Sequence, residues 1–373
     1  MPPTDPTLAN QVSRANRWLV GIFTSAVACT ILLLATFIMR GESPQRAWNR
    51  TVFSAIPPLY VSEYSEDSWG PMGRAFLRSQ TRDDGDIYGI FFDEKKKFQY
   101  PPTSLLIFFI VPDSWLRPEN FIISENFTTL KGPTLSVLRT ASQLAILITI
   151  AASIAILELG IRRLSGPGNE RSSWKFARIG ICCYLGLTFY PVIWAHGLGQ
   201  IQVYLNALTA LGVLAHLLGW RVASGVCLGL CGLVKPQYAI LLIWAIFRRH
   251  WRFLCGFSAA VFPLGLISLA LFGWDNHMRY IEVIREIARL GEAFWANQSV
   301  NGLMNRLIGN GDPISFSPVD FAPYHPLVHA VTIGTSLLII GLALFRRKAA
   351  SGGESTLDLA VIIAAATMAS PIA

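Results

Sequence analysis

Charge is scarce in this chain: only 14% of its 373 residues are Asp, Glu, Lys or Arg, against about 25% in an average soluble domain. Hydrophobic residues make up 52% and the mean hydropathy is +0.44, so an ordinary water-soluble fold is excluded. Cysteine is also sparse. Cys29, Cys182, Cys183, Cys227, Cys231 and Cys255 all fall inside apolar stretches. None shows the paired CxxC spacing or the neighbouring histidines of a structural metal site, so they read as small buried thiols. Internal repeats are lacking, which removes solenoids and propellers. Acids are fewer than bases, 23 against 31, for a net charge of +8. That excess does not point to nucleic acid, because the bases cluster beside apolar runs, where they set membrane orientation.

What the sequence has instead is a series of apolar runs, at residues 19–39, 135–157, 176–194, 201–218, 222–234, 236–247, 253–272, 327–345 and 357–373, with a shorter one at 101–111. Several reach the roughly 18–20 residues that cross a hydrocarbon layer about 30 Å thick. The first follows Arg14 and Arg17 like a signal peptide, but its length and the lack of a small-residue cleavage pattern favour a retained span. Bases collect at Arg14/Arg17, at Arg162, Arg163, Arg171, Lys175 and Arg178, at Arg248, Arg249 and Arg252, and at Arg346, Arg347 and Lys348. The positive-inside rule makes these four groups cytoplasmic.

Parity then constrains the path. Run 101–111 is too short to cross and is expected to be re-entrant or interfacial. Residues 222–247 must make two passes, broken at Lys235-Pro236, because proline removes a backbone donor and opposes a continuous helix; the break sends Lys235 outward. A single kinked helix there is the alternative. The expected architecture is an all-α polytopic bundle of about nine spans with one re-entrant or interfacial helix, formed as one transmembrane domain over residues 1–373. A cytoplasmic tail covers 1–17, and extracytoplasmic loops cover 41–134 and 274–326. The first loop holds 12 of the 23 acids, which makes the outer face the place for polar chemistry. The chain stops inside an apolar run, as a C-terminally truncated piece of a longer protein would.

Four groups converge on that face. Glu66-Asp67 precedes Arg74, Arg78, Arg82 and the acids Asp83, Asp84 and Asp86 beside Tyr88. Tyr100-Pro101-Pro102 opens the short apolar run, where proline suits a helix start. His196 and Gln200 flank a tight connection between spans. Asn297, Gln298 and Asn301 follow Trp295, a pairing suited to sugar hydroxyls and a sugar's C–H face, and equally to a capping turn. Lys235, Arg74 and His196 have the donors to hold an anion. Interfacial snorkelling of Lys235, a solvated face for Arg74 and a boundary role for His196 stand beside that reading.

In order, an acid after the first span, Asp86-Ile87-Tyr88, Phe98-Gln99-Tyr100-Pro101-Pro102, Gly199-Gln200, Lys235-Pro236, the Asn297-Gln298-Ser299-Val300-Asn301-Gly302 series and Ser370-Pro371-Ile372 resemble glycosyltransferase family 87. The resemblance implies a GT-C membrane fold in the plasma membrane with an outward-facing site. It further implies transfer of a hexose, mannose in the first instance, from a polyprenyl-phosphate donor to a lipid or glycan acceptor. The acid of the first outer loop is then the general base, with Asp67 the best positional match and Glu66 its rival. One base suffices for an inverting transfer, since a phosphate leaving group needs cations or donors rather than a second, protonated carboxyl group. No cofactor, metal or nucleic-acid partner is expected. A transporter or flippase of lipid-linked substrates is the alternative reading; it calls for ionisable residues deep within several spans.

Overall fold

A computed structural model describes residues 6–52, 68–81, 85–94, 97–110, 121–123, 128–130, 133–165, 172–315, 317, 320–345 and 352–370. Glu66, Asp67, Asp83 and Asp84 lie outside them. In chain order the elements are α1 (Pro6–Met39), α2 (Pro44–Thr51), α3 (Trp69–Thr81), α4 (Gly89–Phe92), a 3-10 helix (Pro102–Phe109), β1 (Phe121–Ile123) and β2 (Thr128–Leu130). They continue with α5 (Pro133–Ser165), α6 (Ser172–Thr188), α7 (Tyr190–Gly197), α8 (Gln202–Leu217), α9 (Arg221–Val234) and a second 3-10 helix (Pro236–Ala239). The remaining helices are α10 (Ile240–Arg248), α11 (Trp251–Leu290), α12 (Val300–Leu307), α13 (Pro326–Phe345) and α14 (Gly352–Met368). The fold is helical; a small antiparallel hairpin pairing Phe121 with Leu130 is the one sheet among the described residues.

Among the described residues four helices, Asn16–Met39, Val137–Arg163, Trp251–Leu290 and Pro326–Phe345, are long and apolar enough to cross a membrane. A fifth span is available if Trp174–Thr188 and Tyr190–Gly197, bent by 43°, cross together. Local chemistry explains why other apolar runs yield shorter helices. Pro191 opens α7 after Phe189 has left the helical region, so run 176–194 is divided. Pro236 divides run 222–247 at the expected place, leaving α9 with 14 residues, about 21 Å at 1.5 Å per residue. Gly273, with φ 75° and ψ 163°, bends α11 sharply; a β-carbon would resist that conformation.

The chain divides into two compact units, 1–68 with 133–217, and 69–132 with 218–373. In the first, Ala145, Ile146 and Ile150 of α5 pack with Ile193 and Ala195 of α7 and with Val203 and Ala207 of α8. Arg178 of α6, 1% exposed, grips Glu158 of α5 through two bonds, Nε to Oε1 at 2.7 Å and Nη2 to Oε2 at 3.1 Å. In the second unit α9 and α11 approach backbone to backbone. A β-carbon on Gly225 would run into the carbonyl of Phe253, and one on Gly256 into that of Val222. Small residues four apart permit this contact, the usual device of helices that associate in lipid, where expulsion of water supplies no drive. Arg248 of α10 and Asp358 of α14 form a second two-bond pair, at 2.7 and 3.1 Å, and Trp244 donates its indole N–H to the same carboxylate at 3.0 Å.

Candidate active site

Within the second unit the polar elements are built outward from residues 85–103. Gly85 adopts φ 60°, turning the chain so that Asp86 can accept from the backbone N–H of Tyr88 at 3.0 Å. Asn276, one turn beyond the bend in α11, donates to the Gly85 carbonyl at 3.0 Å and accepts from Ile87 N–H at 2.9 Å. Its carboxamide thus braces both sides of Asp86, and Arg279 of the same helix stands 3.3 Å from the Asp86 carboxylate. Tyr88 is fully buried and donates to the Tyr100 carbonyl at 2.8 Å. Burial, and then the neighbouring Tyr280, push its phenol well above the ordinary tyrosine pKa, so it remains a donor throughout the physiological range.

The segment 97–103 has anchors at both ends. At one end Lys97 pairs with Glu292 at 2.8 Å and lies over the Phe321 ring, 4.7 Å from its centre. At the other, Thr103 donates to the Leu233 carbonyl, one of the unpaired carbonyls at the end of α9, beside Lys235. The segment thus ties the Glu292 loop, through Lys97, to the end of α9, through Thr103. Lys235 caps α9 at the proline break, half-buried, and no carboxylate among the described residues pairs with it. Its desolvation pulls the ammonium below the usual lysine pKa. An anion arriving there would supply a counter-charge that no described carboxylate provides.

Residues 291–302 form a knot of amides. Asn301, wholly buried, accepts from Glu292 N–H at 3.2 Å and from the Asn305 amide at 2.8 Å. Asn297 donates to the Glu292 carbonyl at 3.0 Å and accepts from Ser299 N–H at 3.2 Å. Ser299 caps α12 by accepting from Gly302 N–H at 3.2 Å. Arg306 reaches back to the carbonyls of Phe294 and Asn297 at 3.1 and 2.8 Å. The amides of Asn297 and Asn301 therefore face into the loop, while Gln298 and Trp295 face out. Gly291, at φ 75°, lets the knot close: a β-carbon there would collide with the Asn301 carboxamide. Gly291→Ala is expected to lower stability by about 1–3 kcal/mol, combining backbone strain with overlap. Gly309→Ala, at φ 68° with open space around it, should lose less. Thermal unfolding of the two variants in detergent checks the difference.

Arg74 of α3 pairs with Glu94 at 2.5 Å. The neighbouring Arg78, 8% exposed, binds Asp93 and Glu94, each at 3.1 Å, and donates to the Asp86 carbonyl at 2.7 Å. Both arginines thus hold the 86–94 segment to α3. In the first unit His196, buried in the last turn of α7, shares a 2.7 Å hydrogen bond between its Nδ1 and Ser142 Oγ. Gly199, at φ 65°, then turns the chain through Gln200 into α8. The N–H of Ile201, next to Gln200, donates to Ser68 Oγ at 3.1 Å, and Ser68 is fully buried.

The structure therefore gathers Lys235, Tyr100, Asn297, Gln298 and Asn301 in one unit and His196 with Gln200 in the other. Asp67 and Glu66 lie outside the described residues. Lys97, Glu292, Asn276 and Arg306 were not singled out from the sequence. Lys97 closes a lysine run that reads as a solvated patch, and Asn276 carries a signal only once its two backbone partners are known. Comparison with curated proteins and with solved structures gives no match. The model of glycosyltransferase family 87 matches residues 98–371, a stretch that takes in Tyr100, His196, Gln200, Lys235 and the whole amide knot. Over most of its length, then, the chain carries the pattern of that family, and it is a member of glycosyltransferase family 87.

Proposed function

We propose that this membrane glycosyltransferase moves a hexose, mannose in the first instance, from a polyprenyl-phosphate donor to an extracytoplasmic lipid or glycan acceptor, with inversion at the anomeric carbon. The architecture we assign is a single GT-C-type domain of about nine spans in the plasma membrane, its site facing outward. A donor whose tail stays in the bilayer accounts for a polar region assembled at the ends of apolar helices. Asp67 takes the proton of the acceptor hydroxyl as the new glycosidic bond forms and the bond to the donor phosphate breaks. Glu66 stands beside it as the alternative base. Lys235 holds the departing phosphate, with His196 and Arg74 as further donors. Gln298, together with Trp295, offers the outward surface for the sugar, while Asn297 and Asn301 keep that surface in place. Tyr100 and Gln200 line the approach.

The single observation that carries this reading is the half-buried Lys235 cation without a carboxylate partner among the described residues, in a chain of this family. The test is a transfer assay on purified protein in lipid nanodiscs, with polyprenyl-phosphate mannose, polyprenyl-phosphate glucose and nucleotide-linked mannose offered in parallel. Turnover from the polyprenyl-phosphate sugars alone is the expected result. Turnover from the nucleotide sugar alone would overturn the donor assignment.

A further inference from the structure

We infer that α12 lies with one edge in the hydrocarbon boundary of the bilayer, as a lipid-facing element distinct from the spans. Its two faces are reversed relative to a helix in water. The face turned into the protein carries Asn301 and Asn305, both 0% exposed, with Gly302. The face turned outward carries Leu303 at 50% and Leu307 at 69%, with Ile308, just past the helix end, at 39%. Leu303 and Leu307 are four apart, so they form one stripe along the helix.

A helix on a water-exposed loop buries its leucines and exposes its amides. Here rotation about the helix axis is blocked, because Asn301 and Asn305 are tied to each other, to Glu292 N–H and to Asn310, and Ser299 fixes the first turn. The stripe must therefore meet an apolar medium from outside the fold. Position identifies that medium as lipid. In chain order the helix follows α11 and precedes α13, both of membrane-crossing length and composition, and it packs directly on α13. α13 likewise exposes apolar side chains, Leu327 at 52%, Leu337 at 66% and Leu342 at 67%, so the helix on which α12 packs is itself suited to lipid. A helix with its apolar edge sunk about 5–10 Å into the boundary is a known way for a segment to lie in a membrane without crossing it.

The experiment uses the full chain with its six cysteines replaced by alanine, and single Leu303→Cys, Leu307→Cys and Asp312→Cys variants carrying a nitroxide. Each is reconstituted in phosphatidylcholine vesicles. Collision with oxygen, which partitions into lipid, is compared with collision with a water-soluble nickel chelate. Positions 303 and 307 are expected to favour oxygen, and position 312, on an exposed turn, the chelate. Preference for the chelate at both 303 and 307 would overturn the inference. A second measurement keeps the native cysteines. The double variant Leu303→Asp/Leu307→Asp should lower the unfolding midpoint in vesicles if the stripe meets lipid, and an unchanged midpoint would count against it. Neither readout depends on which sugar or donor is used.

Discussion

Asp67→Asn is expected to lower sugar transfer by about 10²–10⁴-fold, the usual contribution of a positioned general base. The substitution keeps the size and hydrogen-bonding capacity of the side chain and removes its basicity. The donor's KM should therefore change little while kcat falls, because the proton is taken only as the acceptor attacks. Glu66→Gln is the paired comparison: a smaller loss there assigns the role to Asp67, and the reverse order assigns it to Glu66. Full transfer by the Asp67 variant would remove the mechanism. A pH profile adds an independent check. If an ionised carboxylate is the base, kcat declines below its pKa, and that limb vanishes in the Asn variant.

Asp358→Ala should cost the protein about 3–5 kcal/mol, because it leaves the Arg248 guanidinium, 8% exposed, without its countercharge. The indole N–H of Trp244 loses its acceptor in the same change. A lower unfolding midpoint in detergent is the readout. The double variant Arg248→Met/Asp358→Leu should recover most of the loss, since a pair of apolar residues of similar volume removes the buried charge instead of stranding it. If the single variant unfolds at the wild-type temperature, the pair does not hold α10 to α14.

Much of the helical plan was legible from the sequence because its signals are strong and local. Runs of apolar residues define helices, and Pro236 after Lys235 marks the break between α9 and α10. The bend at Phe189 was not read, since Pro191 at the start of a helix looks the same as proline within a continuous run until the backbone is seen. Asn297 and Asn301 were legible as a cluster but not as a direction. Polarity suggests an outward face, whereas close packing of Asn301 against Gly291 and of Asn297 against Gly302 turns both amides inward. Arg74 reads as part of a solvated face because its acid, Glu94, lies 20 positions away and is brought to α3 by the turn that Asn276 braces. The sequence pattern announces which residues a site owns, and long-range hydrogen bonds decide which way they point.

Arg306 has a consequence of a different kind. Its guanidinium is satisfied by carbonyl oxygens, which are dipoles and carry no net charge. A cation held by a carboxylate is invisible from a distance, but one solvated by carbonyls keeps its full unit of charge. Arg306 thus adds to the amide knot a positive charge that its hydrogen bonds to carbonyls do not cancel, and its field carries over a screening length of about 8 Å in cellular salt.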